Sequence, residues 1–177
     1  MQLRYSIALG SLAAVPAFAG GLAVNVELPR LSVAEYHRPY VAVWVERADA
    51  GAPPAATSLA AWYDIRTRAN NPEGEGTKWL KDLRQWWRRT GRELQMPVDG
   101  VTGATRPAGK HQLSFTEGSG PLARLQPGNY KLMVEAAREN GGHETVTVPF
   151  TWPVQQATQA QQQGSTELGA IALELKP

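Results

Sequence analysis

The chain has 177 residues, with 18 Lys+Arg against 16 Asp+Glu, 42% hydrophobic residues, 17 Gly, 13 Pro, six Trp and no Cys. That length suits one domain with a real core, the hydrophobic share is too high for a disordered chain, and no apolar run reaches the roughly 20 residues that span a bilayer. The lack of Cys excludes a disulfide scaffold, a zinc–thiolate site, an iron–sulfur cluster and a Cys nucleophile. A net charge of +2 makes no case for nucleic acid, despite a pI near 9.0.

Residues 1–19, MQLRYSIALGSLAAVPAFA, read as a cleaved signal peptide. Arg4 supplies the positive start, Ile7 to Val15 the apolar stretch, and Ala17-Phe18-Ala19 the small-x-small cleavage site. The mature chain, residues 20–177, is then expected to be a single exported domain, in the periplasm of a Gram-negative cell. No lipobox Cys and no later apolar stretch is present to anchor it.

Period-two patterns follow in chain order. Leu22, Val24, Val26 and Leu28 alternate with Ala23, Asn25 and Glu27, and Tyr40 to Glu46 is apolar on both faces, as a central strand is. Leu59 to Tyr63, His111 to Phe115, Tyr130 to Val134, Val146 to Trp152 and Leu168 to Leu175 add further strands, separated by turns such as Pro127-Gly128-Asn129 and Asn140-Gly141-Gly142. About seven strands predict a mainly β chain, an immunoglobulin-like antiparallel β-sandwich. One segment departs from the period: in Lys78 to Arg89 apolar residues fall at 79/80, 83 and 86/87, which predicts an amphipathic crossover helix over about 78–90. Its Trp residues and its basic face either cover the sandwich or border an anionic aromatic ligand. Residues 155–164 read as a polar, low-complexity loop.

Between that helix and the next strand lies Asp99-Gly100-Val101-Thr102-Gly103-Ala104-Thr105, followed by Arg106 and Lys110. Pro97 and Pro107 bracket the segment and predict an irregular, flexible loop with two hydroxyls, an acid and small residues. These seven residues resemble the flavinylation motif, D-G-x-S/T-G-A-S/T, of exported bacterial redox proteins and of FMN-binding domains in ion-pumping reductases. Asp99, Gly100, Thr102, Gly103, Ala104 and Thr105 meet every fixed position. The resemblance implies that a flavin transferase cuts FAD and joins FMN through a phosphoester to Thr105, with Arg106 and Lys110 as candidate partners of the phosphate. A threonine hydroxyl is a poor nucleophile by itself, so base and cation are expected from the transferase.

Blocks at Arg38–Glu46, Leu59–Trp62, Lys78–Trp87, Asp99–Gly109 and Gly128–Gly142 are similar to those of a predicted periplasmic family, domain-of-unknown-function family 2271. That likeness implies an electron carrier that works with a PepSY-type membrane reductase, rather than an enzyme with turnover of its own. No G-x-S-x-G elbow is present, and His37, His111 and His143 are dispersed, without metal-ligand spacing. Glu135, Arg138 and Glu139 suggest an ion-pair cluster at a strand end. A different class of function, a non-catalytic glycan- or protein-binding module, would expose Trp44, Trp62, Trp86, Trp87 or Trp152 as a flat stripe.

Overall fold

A computed structural model describes residues 20–51, 55–66, 75–123 and 125–177; the expected signal peptide lies outside them. Among these residues nine strands build two sheets: β1 (Gly21–Leu28), β2 (Tyr40–Arg47), β3 (Ala56–Tyr63), β4 (Thr102–Ala104), β5 (Gly109–Thr116), β6 (Gly128–Ala137), β7 (His143–Trp152), β8 (Thr158–Gln163) and β9 (Ala170–Lys176). One sheet runs β5-β1-β9-β8 and the other β4-β3-β2-β6-β7. All pairings are antiparallel except β3 with β4. The chain is a β-sandwich, as the alternation predicts.

Two apolar layers hold it together. The first lies between the sheets, where Leu22, Val24, Val26 and Leu28 of β1 meet Val41, Val43 and Val45 of β2 and Leu132 and Val134 of β6. The second lies on the other face of the five-stranded sheet, where Ala42, Trp44, Ala61, Tyr63 and Met133 pack under Leu80, Leu83 and Trp86. This explains why β2 is apolar on both faces: odd positions enter one core and even positions the other. Burial of each large side chain contributes about 1.5–3 kcal/mol.

The covering segment is not the single helix that the spacing predicts. Residues Glu75–Asp82 form a 3-10 helix, Leu83 leaves helical geometry at φ −77 and ψ 74, and α1 spans only Arg84–Arg89. Leu80, Leu83 and Trp86, all buried, stand three residues apart, and a three-residue period is that of a 3-10 turn rather than of an α-helix. The polar stretch expected to be a loop contains β8, an edge strand whose Gln side chains face solvent while its backbone pairs with β9. No helix among the described residues is long and apolar enough to cross a membrane.

The turn before β9 is fixed by one carboxylate. Glu144 accepts hydrogen bonds from the backbone N–H groups of Ser165, Thr166, Glu167 and Leu168 and from the hydroxyls of Ser165 and Thr166. Burial pushes its carboxyl up, but the N–H groups of Leu168, Ser165 and Thr166 outweigh that and hold it at about 2, below the ordinary 4.5. A group whose folded value is depressed stabilises the fold fully above its unfolded value and loses that contribution as pH falls through the folded one. Wild type is therefore expected to lose roughly 1–2 kcal/mol between about pH 5 and pH 2 from this group, after discounting for solvent contact. Denaturant melts of Glu144→Gln should show lower stability at neutral pH and a correspondingly shallower acid dependence.

Candidate functional site

The segment Asp99 to Thr105 is ordered by its neighbours and is not the irregular loop that its prolines suggest. Gly100 takes φ +73, the left-handed region that glycine adopts without strain. The N–H groups of Val101 and Thr102 both donate to the Val98 carbonyl, and the Val98 N–H donates to Thr102 Oγ1 at 2.7 Å. Val101, the unconstrained position of the motif, is buried in the second core, and its carbonyl accepts from Ala61. Thr102 to Ala104 then pair with Ala61 to Tyr63 as β4, the parallel edge strand. A Cβ on Gly103 would stand 3.0 Å from Trp62 Cδ1, a tight approach that a side chain here would force the indole to accommodate.

Thr105 is the first residue beyond β4. Its N–H donates to the Tyr63 carbonyl at 3.1 Å, and it is half-buried. A groove of about 880 Å³ begins at Ala104 and Thr105 and crosses the end of the five-stranded sheet to His143 at the start of β7. Clefts of roughly 300–1,000 Å³ are those that hold small-molecule ligands. Tyr40, Tyr63 and Ala137 from the sheet, Trp79 and Arg84 from the covering segment, and Tyr36 and Arg38 from the chain before β2 line it. Ile65 lines it too. Tyr36, Ile65 and Trp79 are 38%, 43% and 49% exposed, and with Val33 they are the large apolar side chains exposed among the described residues.

The groove is rich in cations, several already engaged. Arg66 pairs with Asp64, Arg138 forms a buried bidentate pair with Glu167, and His37 lies 3.1 Å from Glu35 and 3.7 Å from Glu139. Arg38 and Arg84 have no ion pair among the described residues. Burial pushes the phenols of Tyr40 and Tyr63 up, the latter against an opposing hydrogen bond with Thr102, so both rings are neutral at physiological pH. Behind the groove lies Glu135, fully buried, whose carboxylate accepts the N–H groups of Gln85 at 2.9 Å and Trp86 at 2.7 Å and meets His143 Nε2 at 2.5 Å.

The residues singled out in the sequence fall into three sets. Thr105 and Ala104 line the groove; Gly100, Thr102 and Gly103 shape the turn and strand that carry them; Asp99 is exposed, with no polar partner among the described residues. Arg106 stacks over the Trp62 ring at 5.4 Å, and Lys110 lies on β5 opposite Glu27, so neither lines the groove. Trp86 is buried, with its indole N–H on Ser58, and Trp87 packs half-buried beside it. Trp44, Trp62 and Trp152 are also buried, so the flat stripe required of a glycan groove does not form. Glu135, Arg138 and Glu139 make no common cluster: each pairs elsewhere, with His143, Glu167 and His37 respectively. Among the described residues no three His, Asp or Glu gather as a metal site. Trp79 and Arg84 come from the segment whose Trp residues and basic face are expected either to cover the sandwich or to border a ligand; Tyr36, Arg38, Tyr40 and Tyr63 carry no such signal in the sequence, because they come from separate segments.

The Thr102 hydroxyl ties the turn to the strand, so its loss leaves the buried-side Val98 N–H without a partner. Thr102→Val is expected to cost about 1–2 kcal/mol in denaturant unfolding.

No curated protein and no solved structure matches the chain. A family model described as a predicted periplasmic protein (DUF2271) matches residues 21–170, and the chain belongs to that family.

Proposed function

We propose that this periplasmic protein is a flavin carrier, with FMN joined by a phosphoester to Thr105 Oγ1 and its ring system held in the adjoining groove. The observation that carries the reading is the position of Thr105: the hydroxyl predicted to accept FMN stands at one end of a groove whose walls expose Tyr36, Ile65 and Trp79. Large apolar side chains left open to water in one cleft mark a site for an apolar, planar occupant.

The dimensions support the same reading. From Thr105 beyond β4 to His143 on β7 the groove crosses four inter-strand spacings, about 19 Å. That span is comparable with extended FMN measured from its phosphate to the far ring edge. Tyr36 and Trp79 offer exposed aromatic surface for stacking, and Arg38 and Arg84 offer charge for the anionic phosphate or the reduced ring.

Loading exchanges a phosphoanhydride for a phosphoester. Thr105 Oγ1 attacks the FMN phosphorus of FAD, the pyrophosphate bond breaks, AMP leaves, and the hydroxyl proton passes to a base of the flavin transferase. The short β4 strand holds the acceptor at the sheet edge, and the exposed Asp99–Gly100 turn leaves room for the transferase to approach. The bound flavin would supply the electron chemistry; the protein's part is to retain it outside the cytoplasm, to shield one face and to orient the ring. A membrane reductase of the PepSY type fits as electron partner. In this role the protein is a substrate of its maturation enzyme and a redox carrier.

Co-expression with a flavin transferase in the periplasm tests the reading by intact mass and in-gel flavin fluorescence. Wild type is expected to gain one FMN less water, and Thr105→Ala to lose the adduct completely while remaining folded. A wild-type chain without adduct, beside a control flavoprotein modified in the same cells, overturns it.

A further inference from the structure

His143 and Glu135 stand apart from the attachment chemistry, at the opposite end of the groove from Thr105. Glu135 has no exposed surface, and two backbone N–H groups and the His143 ring surround its carboxylate. With Glu135 ionised, both of its oxygens accept backbone N–H groups, and the proton in the Nε2 contact comes from the imidazole. That fixes the neutral tautomer and leaves Nδ1, which has no hydrogen bond among the described residues, as the atom able to take a further proton. Burial holds Glu135 in place; His143, with a third of its side chain exposed, keeps access to water.

We infer that His143, seated on Glu135, is a redox-linked proton site: it takes up one proton when the occupant of the groove is reduced to an anion. The inference rests on the flavin reading. Two electrons and one proton convert FMN to the anionic dihydroflavin, and a second proton from solvent joins Nδ1 of His143. The added negative charge on the ring favours the imidazolium. The other charges facing this end of the groove are largely neutralised in pairs. Arg138 is held by Glu167, Glu139 lies beside His37, Arg66 is held by Asp64, and Asp82 and Arg84 come from the same covering segment. Arg38 and Arg84, neither in an ion pair among the described residues, are the remaining cations, and the phenols of Tyr36, Tyr40 and Tyr63 complete the titratable lining.

The test is the midpoint potential of the flavinylated protein, with an electrode supplying electrons through mediators, from about pH 5.5 to 8.5. Wild type, His143→Gln and His37→Gln are compared, each with its adduct verified by mass. Within part of that range wild type should take up one proton more per two electrons than His143→Gln, seen as a steeper fall of potential with pH. His37→Gln, which alters the other imidazole of the groove, should follow wild type. Parallel slopes for loaded wild type and loaded His143→Gln overturn the assignment to His143 and leave the Thr105 reading intact. An absent adduct on wild type overturns both.

Discussion

The arrangement depends on one buried carboxylate. Glu135 has no exposed surface, and an uncompensated charge there would cost several kcal/mol. Three donors surround it, two of them the backbone N–H groups of Gln85 and Trp86 at the start of α1. No side chain of the helix itself caps that end. The strand β6 therefore supplies the cap for the covering segment, and α1 is fixed in both position and direction against the sheet. With Trp86 locked inward on Ser58, the chain just before α1 leaves Trp79 outward over the groove. Removing one partner of such a buried set is far more damaging than the net worth of the set suggests.

A second chain of contacts shapes the far end. Glu144 organises the turn at 165–168, that turn presents Glu167, and Glu167 holds both the Arg138 guanidinium and the Gly142 N–H. Arg138 and Gly142 both line the groove. The motif end is built on different principles, by β4 pairing with β3 and by close packing of Gly103 on Trp62. The groove is thus framed by a polar scaffold at one end and backbone pairing at the other, while Tyr36, Ile65 and Trp79 of its lining stay exposed. That division between rigid frame and open lining is what a site for a large planar group requires.

Much of the frame was legible in the sequence, and the reasons differ by element. β1 and β7 alternate cleanly because one face meets the core and the other meets water, and β2 is apolar throughout because it separates two cores. β8 was hidden because an exposed edge strand pairs by backbone alone and its Gln-rich side chains carry no alternation. β4 was hidden because three residues of motif composition give no period, and its partner lies 41 residues earlier in register, at Ala61 for Thr102. Leu80, Leu83 and Trp86 alone carry a three-residue period, but 79/80, 83 and 86/87 taken together also read as an α-helix, which hid the break at Leu83. A local motif singled out Thr105, whereas the groove that it lines is assembled from five separated stretches of chain. The Glu135–His143 pair is a cross-strand diagonal: Glu135 stands opposite Thr145, two residues from His143, and only the register reveals the contact.

The central claim is that Thr105 and the groove form a single flavin site. Flavin fluorescence is quenched when the ring stacks on tryptophan or tyrosine, so the most direct measurement is the emission of the flavinylated protein, folded and then unfolded in denaturant. The account predicts a dim folded state that brightens several-fold on unfolding, and a folded Trp79→Ala variant brighter than folded wild type. Equal emission from folded and unfolded wild type would contradict it, because the ring would then hang in solvent from Thr105 and the groove would belong to something else.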